Sequence, residues 1–133
     1  MASIFTRIIN REIPGYIVAE DEQYIAFLDI NPLVLGHCLV VPKKEVDYIF
    51  DLDPDTLSGL TLFAQQVAHA VKQAVKCKRI GLAVIGLEVP HVHIHLVPMN
   101  TMDDINFTRP KLHPEKDALA AMAANIKAAF EVR

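Results

Sequence analysis

Three histidines alternate with apolar residues in the segment His91-Val-His-Ile-His-Leu-Val97. Alternate side chains of a β-strand share one face, so an extended segment places His91, His93 and His95 together while the residues between them turn to the core. The chain has six histidines in 133 residues. Imidazoles have little reason to cluster on a face where lysine, threonine or glutamate would serve, so we expect chemistry here rather than a plain polar face.

Two kinds of chemistry fit these alternating histidines. Neutral imidazoles at alternate strand positions can share a zinc ion. Alternatively, one imidazole can attack phosphorus, because its ordinary pKa of about 6.5 leaves much of it neutral at physiological pH. Imidazole also leaves readily from phosphorus, so transfer to water in two steps is feasible. The neighbouring rings would then orient the nucleophile, protonate the leaving group and bind phosphate oxygens.

The elements that must position these histidines predict a mixed α+β protein. The longest predicted helix runs from Pro54 to about Lys76, with Asp53 as its cap and one apolar stripe along its length. Helices and strands do not alternate regularly, which favours a mainly antiparallel sheet. The other predicted segments are helices at 4–12 and 114–130, strands at 16–19, 24–28, 37–41, 80–85 and 91–97, and an irregular stretch at 101–113.

The histidine segment resembles the His-apolar-His-apolar-His-apolar-apolar pattern of the HIT (histidine triad) superfamily. Residues 3–14 look like the family's amino-terminal helix, and residues 27–32 followed by 36–44 look like its two central strands. The resemblance covers about residues 3–98 and is closest to the Hint-like branch, whose members hydrolyse nucleoside phosphoramidates and related nucleotidyl compounds.

This resemblance implies one HIT-like α+β domain over residues 1–133, with a core at 3–98 and a carboxy-terminal extension at 101–133. The implied architecture is an antiparallel sheet of about five strands, one long helix and a C-terminal helix. Members of this branch are homodimers whose sheets join. The apolar stripe on 54–76 fits such an interface, but it fits contact with its own sheet equally well. The extension could close over the site or reinforce the dimer.

The resemblance also implies roles for individual residues. His93 matches the nucleophile that forms a nucleotidyl-enzyme intermediate, and His95 matches the group beside the phosphate and leaving group. His91 and His37 match the histidines that orient His93. Asp29 matches the carboxylate that accepts hydrogen bonds from the ribose. The remaining matched positions line the nucleotide slot: Ile30, Ile4, Phe5, Ile8 and Ile13 around the base, with Glu88 and Val89 in the connector before the triad.

Several of these residues also have ordinary structural interpretations. Ile8 and Ile13 are as consistent with a core role as with a binding role. Asp29 precedes Ile30-Asn-Pro, so without the resemblance it would be assigned to a turn. His37, taken alone, would be a hydrogen-bonded strand histidine.

Two parts of the sequence depart from the family pattern. Many bacterial relatives bind zinc through two cysteines and a histidine, but the matching residues here are Ser3, Thr6 and Glu45, so we expect no structural zinc. Glu88 stands where a hydroxyl residue would contact phosphate, and Pro90 lacks a backbone donor. A carboxylate repels phosphate unless it is turned away or protonated. Glu88 therefore predicts a preference for substrates with a cationic leaving group.

Composition sets the remaining expectations. A formal net charge of -3 and a pI near 6.0 argue against binding to duplex nucleic acid. The cysteines Cys38 and Cys77 cannot form a disulfide framework, and no signal peptide or membrane span is recognised, so a cytoplasmic protein without a membrane partner is expected. No cofactor is predicted.

The leading hypothesis is an enzyme that acts on a nucleotide substrate, most simply a purine nucleotide, at its α-phosphorus through His93. The second is a nucleotide-binding module with little or no turnover, because the 85–90 connector is altered. Loss of turnover in His93→Ala with retained nucleotide binding separates the two. A third is a metal-dependent hydrolase, which activity after exhaustive chelation would exclude.

Overall fold

The computed structural model describes residues 2–132. Its centre is a five-stranded antiparallel sheet with the spatial order β1-β2-β3-β5-β4, which confirms the predicted α+β fold class. The elements in chain order are α1 (Ile4–Ile9), β1 (Ile17–Glu20), β2 (Tyr24–Leu28), β3 (Cys38–Pro42), α2 (Pro54–Ala74), β4 (Arg79–Ala83), β5 (Ile94–Met99) and α3 (Lys116–Glu131). Short 3₁₀ turns occupy Ile49–Asp51 and Met102–Ile105.

The sheet separates two apolar layers. Because side chains alternate along a strand, β2 sends Ala26 and Leu28 toward α2 and α3 while Ile25 and Phe27 face the opposite side. The two long helices cover the first face. The short helix α1 covers the second through Phe5 and Ile8. The central strands β2 and β3 are therefore held between helices, and the face under α1 also receives the histidines.

The strand predicted at 91–97 is wrong at its start. The ladder between β3 and β5 begins at the Val40–Ile94 pair, so His91, Val92 and His93 precede the paired strand. Their backbone is satisfied by loops instead: the N–H of His91 donates to Val89 and that of Val92 to Val46. The side chains still alternate, since Val92 packs in the helical core while His91 and His93 lie against Phe5.

Smaller differences concern the ends of elements. The first helix ends at Ile9 rather than residue 12, because Arg11 takes a left-handed φ of 61°. The last helix starts at Lys116, with Glu115 as its N-cap and Pro114 outside it. The long helix ends at Ala74. Among residues 2–132, no helix has the length and apolar character needed to cross a membrane.

Candidate active site

Four histidines gather on the face of the sheet that α1 covers. His37 precedes β3, and β3 pairs with β5, where His95 lies opposite Leu39. The exposed fractions of His37, His91, His93 and His95 are 1%, 0%, 7% and 8%. The His93 ring centre lies 4.9 Å from that of His95 and 5.0 Å from that of Phe5. The alternating segment thus forms a buried imidazole cluster.

Backbone partners determine the tautomer of His93. Its Nδ1 lies 2.7 Å from the carbonyl oxygen of His91, and a carbonyl only accepts, so Nδ1 carries the proton. In the neutral ring, Nε2 then holds the lone pair. No described residue bonds to Nε2. Among residues 2–132, every side-chain polar atom that is buried from solvent has a hydrogen-bond partner, so Nε2 of His93 is not fully buried. The Nε2 lone pair of His93 is therefore open to an incoming electrophile.

His37 and His95 are hydrogen-bonded to each other, and both carry their proton on Nε2 rather than on Nδ1. The N–H of Leu33 donates to Nδ1 of His37 over 3.1 Å, so the proton of His37 is on Nε2. That Nε2 lies 3.0 Å from Nδ1 of His95 and donates to it. Burial is the main cause that lowers the pKa of His37 to about 3 and the pKa of His95 to about 4. His95, neutral and accepting at Nδ1, therefore presents a donating Nε2–H.

His91 is held by a network that reaches across the chain. Its Nε2 donates to the carbonyl of Pro42 over 2.7 Å, and its Nδ1 accepts from the Ser3 hydroxyl over 2.8 Å. Glu45 accepts from the Ser3 backbone N–H and from the Thr6 hydroxyl, at 2.7 and 2.6 Å. These bonds lower the pKa of Glu45 to about 2. Ser3, Thr6 and Glu45, which stand at the positions of the family's zinc ligands, thus form a hydrogen-bonded support for His91.

We expect Ser3→Ala to destabilise the protein by about 2 kcal/mol, because it leaves Nδ1 of the buried His91 with only the longer contact to the Thr6 hydroxyl, at 3.4 Å, and removes the N-cap of α1. Urea unfolding at pH 7.5 measures the change. The matched control is Ser58→Ala, at an exposed position of α2. A loss below about 0.5 kcal/mol would show that the network does not support His91.

Asp29 lies at the edge of the histidine cluster. One carboxylate oxygen accepts from the N–H of Asn31, as in a turn, and the other lies 3.9 Å from Nε2 of His37. Burial raises the pKa of Asp29. Asp29, His37 and His95 each bring one potential metal-ligand atom within 4.8 Å of the others. However, Nε2 of His37 already carries the proton that it donates to His95, so a metal ion there would have to displace this proton.

The apolar candidates divide into two groups. Ile4 and Ile30 are exposed. Phe5 and Ile8 are buried in the layer beneath α1, and Ile13 and Val89 pack partly against that layer. In the connector, Glu88 is exposed. Phe5 therefore belongs to the core and also contacts the rings of His91 and His93.

Two residues of the C-terminal extension reach the cluster without having been predicted. The Phe107 ring centre lies 4.7 Å from that of His95 and 6.1 Å from that of His37. Lys111 donates to the carbonyl of Phe107 over 2.7 Å. Nothing in the irregular stretch 101–113 marks these residues, because their contacts with the histidines arise only from the path of the folded chain.

Known proteins are similar to this chain in both sequence and fold. The sequence profile of the HIT domain family matches residues 10–102. An uncharacterised HIT-like protein of Borreliella burgdorferi is 33% identical over 131 residues, which covers 92% of this chain and 94% of that protein. The adenosine 5'-monophosphoramidase of Saccharomyces cerevisiae is 35% identical over 98 residues, which covers 73% of this chain and 62% of the yeast protein.

A solved structure has the same fold. A hypothetical histidine triad nucleotide-binding protein of Sulfolobus tokodaii superimposes with a TM-score of 0.83 at 34% identity, over 96% of this chain and 91% of that one. The match to the family profile, the similar sequences and the shared fold agree with the buried histidine cluster. This chain belongs to the HIT domain family.

Proposed function

We propose that this chain is a hydrolase or transferase that acts at the α-phosphorus of a nucleoside phosphoramidate or a related nucleotidyl compound. The observation that carries the proposal is the pairing of an open lone pair on Nε2 of His93 with a donating Nε2–H on His95, in rings 4.9 Å apart. A nucleophile beside a hydrogen-bond donor that can contact the leaving group is an arrangement suited to covalent transfer. The named activity of the yeast relative supports the same reaction class.

The reaction follows in two balanced steps. Nε2 of His93 bonds to phosphorus while the bond from phosphorus to the leaving group breaks. The Nε2–H of the neutral His95 donates a hydrogen bond to the leaving group, which takes its proton from water. A second water then attacks phosphorus, which breaks the bond to His93 and releases the nucleotide, and its proton neutralises the hydroxide left by the first step. His91 holds Nδ1 of His93 through its carbonyl, and His37 orients His95.

The nucleotide itself would lie along the edge of the cluster. Asp29 has one carboxylate oxygen free of the turn, and in this proposal that oxygen accepts from the ribose hydroxyls. Ile4 and Ile30 offer exposed apolar surface to the base, most simply a purine. Phe5, Ile8 and Ile13 back this surface from the core. Val89 and Glu88 border the site from the connector, with Glu88 facing the leaving group.

Mass spectrometry of enzyme quenched during turnover of adenosine 5'-phosphoramidate tests the proposal. We expect one nucleotidyl adduct, on the peptide that contains residues 91–95, and the same turnover after exhaustive chelation. Rapid turnover with no adduct at any quench time would refute the covalent route. Turnover that needs added metal would instead favour the metal-dependent alternative.

The second candidate is a nucleotide-binding module without useful turnover. The connector favours it, because Glu88 and Pro90 bring a negative charge and a missing N–H to the approach to the triad. Tight binding of a purine monophosphate, without turnover across amine, carboxylate and phosphate leaving groups, would select the module over the enzyme.

We also propose that the chain forms a homodimer through the β4 edge of the sheet. β4 is the last strand in the order. Beside it a groove of about 370 Å³ runs between β4 and α2, with Leu62 and Leu82 exposed on it. An open strand edge beside an apolar groove is suited to pairing with a second copy.

Leu82→Lys is expected to convert this dimer to a monomer, because it puts a charge into the apolar contact. Size-exclusion chromatography with light scattering at micromolar concentration measures the mass. Met102→Lys, an equally polar change at an exposed methionine outside β4, is the matched control and should leave the dimer intact. A dimer that persists in Leu82→Lys would place the interface elsewhere.

A further inference from the structure

The segment that follows β5 returns to the histidine cluster. Residues 106–113 run along the loop 29–33, which carries Asp29 and supplies the N–H that fixes His37. Three hydrogen bonds attach the segment to that loop: Arg109 Nη2 to the Leu33 carbonyl at 2.7 Å, the Leu112 N–H to the Pro32 carbonyl at 2.9 Å, and His113 Nδ1 to Asn31 Oδ1 at 2.9 Å. Within one chain, the extension therefore lies against the site.

Phe107 joins this segment to the reactive rings. Its side chain is half-buried, and its ring stands edge-on to His95 at 4.7 Å between centres. Aromatic pairs in this arrangement are attractive, so Phe107 limits the movement of His95. The segment thereby borders His95 on one side.

Lys111 carries a positive charge at this wall. Its ammonium donates to the carbonyl of Phe107 at 2.7 Å and to that of Arg109 at 3.4 Å. An ammonium has three donors, so one remains for a ligand. Within residues 2–132 no carboxylate lies in salt-bridge distance of it. After burial, its charge is among the causes that lower the pKa of His37 and of His95, which places it within electrostatic reach of both rings.

A phosphate at His93 needs a positive charge that the other known parts of the site do not supply. His37 and His95 are neutral near pH 7, since their pKa values are about 3 and 4. The connector contributes the carboxylate of Glu88 and no N–H from Pro90. Negative charge builds on the phosphate oxygens as His93 attacks phosphorus, and a fixed cation stabilises that charge. Lys111 lies within electrostatic reach of these rings and of Asp29, and its ammonium bonds to the residue whose ring contacts His95.

We propose that Lys111 is a phosphate-binding residue of this site, whose free N–H contacts a non-bridging oxygen of the substrate's α-phosphate, and that residues 106–113 are an integral wall of the active centre. The proposal rests on the nucleotide function proposed above. It assigns to the C-terminal extension a direct part in binding substrate.

Calorimetric binding of adenosine 5'-monophosphate and of adenosine tests it on the full chain. Lys111→Met should weaken binding of the monophosphate about 10- to 100-fold, the range for a lost hydrogen bond to a charged group. Binding of adenosine should change less than about twofold, because adenosine has no phosphate. Lys111→Arg, which keeps the charge, should restore most of the affinity for the monophosphate. Lys127→Met, an exposed lysine on α3, is the matched control.

Equal losses for monophosphate and adenosine would overturn the proposal, since they would show a structural role for Lys111. Unchanged binding of both would overturn it as well. If Lys111→Met is unfolded, the salt dependence of wild-type binding decides instead: binding of the monophosphate should weaken between 50 and 500 mM NaCl more steeply than that of adenosine, and equal slopes refute the proposal.

Turnover separates an α-phosphate contact from a contact with the leaving group. For Lys111→Met we expect similar losses of kcat/KM with an amine and with a phosphate leaving group, and a loss confined to the phosphate leaving group would overturn the α-phosphate assignment. Failure of the catalytic proposal is recognised separately, because it removes turnover and the adduct from the wild type while monophosphate binding still depends on Lys111.

Discussion

His93→Ala is expected to lower turnover of a nucleoside phosphoramidate by about 10⁴-fold or more, because it removes the nucleophile of the proposed covalent route. The other histidines do not replace it. Nε2 of His91 is committed to the Pro42 carbonyl, and Nε2 of His95 carries a proton rather than a lone pair. Steady-state kinetics with adenosine 5'-phosphoramidate measure the loss, and the nucleotidyl adduct should disappear with it.

Binding distinguishes loss of chemistry from loss of structure in this variant. Adenosine 5'-monophosphate should bind His93→Ala within about tenfold of its wild-type affinity, since Asp29 and the apolar surfaces are untouched. His69→Ala, at an exposed position of α2, is the matched control and should retain full activity. Turnover of His93→Ala within tenfold of the wild type would remove the basis of the catalytic proposal.

The protein is expected to lose stability on mild acidification, because its fold buries neutral histidines. The pKa values of His37 and His95, about 3 and 4, lie below the ordinary value near 6.5, so the unfolded chain takes up these protons first as the pH falls. Their contribution is complete above about pH 6.5 and is lost progressively toward pH 3–4. At pH 5 the free energy of unfolding has fallen by about 2 kcal/mol for each of the two histidines, or about 4 kcal/mol together.

Urea unfolding at pH 7.5, 6.5 and 5 measures this dependence. His37→Gln keeps a donor toward His95 but cannot be protonated, so its free energy of unfolding should fall about 2 kcal/mol less between pH 7.5 and 5 than that of the wild type. The readout is the change in the free energy of unfolding between pH 7.5 and 5, because the substitution lowers the stability of the protein at every pH. His69→Gln, an exposed position, is the control. A free energy independent of pH over this range would contradict the burial of neutral rings.

The pattern of residues was sufficient to predict a mainly antiparallel sheet and the common face of the triad histidines. The alternation of His91 to Leu96 correctly separated core side chains from imidazoles, although pairing begins only at Ile94. The separation survives because a locally extended backbone alternates its side chains whether or not it is hydrogen-bonded to a neighbour. The long helix was predicted from its apolar stripe and its Asp53 cap for the same kind of local reason.

The protonation pattern of the site could not be predicted in this way, because it depends on backbone groups and on partners distant in sequence. Whether Nε2 of His93 is a nucleophile or a donor depends on a carbonyl, and the state of His37 depends on the backbone N–H of Leu33. Backbone groups have the same chemistry at every residue, so no pattern of residue types marks them. Ser3 supports His91 across 88 positions, a contact that no local periodicity reveals.

The sequence by itself determined the family, the α+β fold and the side of the sheet on which the histidines lie, because strand and helix periodicities are local properties of the chain. The tertiary structure alone decided which imidazole nitrogen is free, how Glu45 joins the support of His91 and where the C-terminal segment with Phe107 and Lys111 lies. These features are hydrogen bonds, some of them to backbone groups nearby in the chain, and ring contacts between distant segments, and they exist only once the chain has folded.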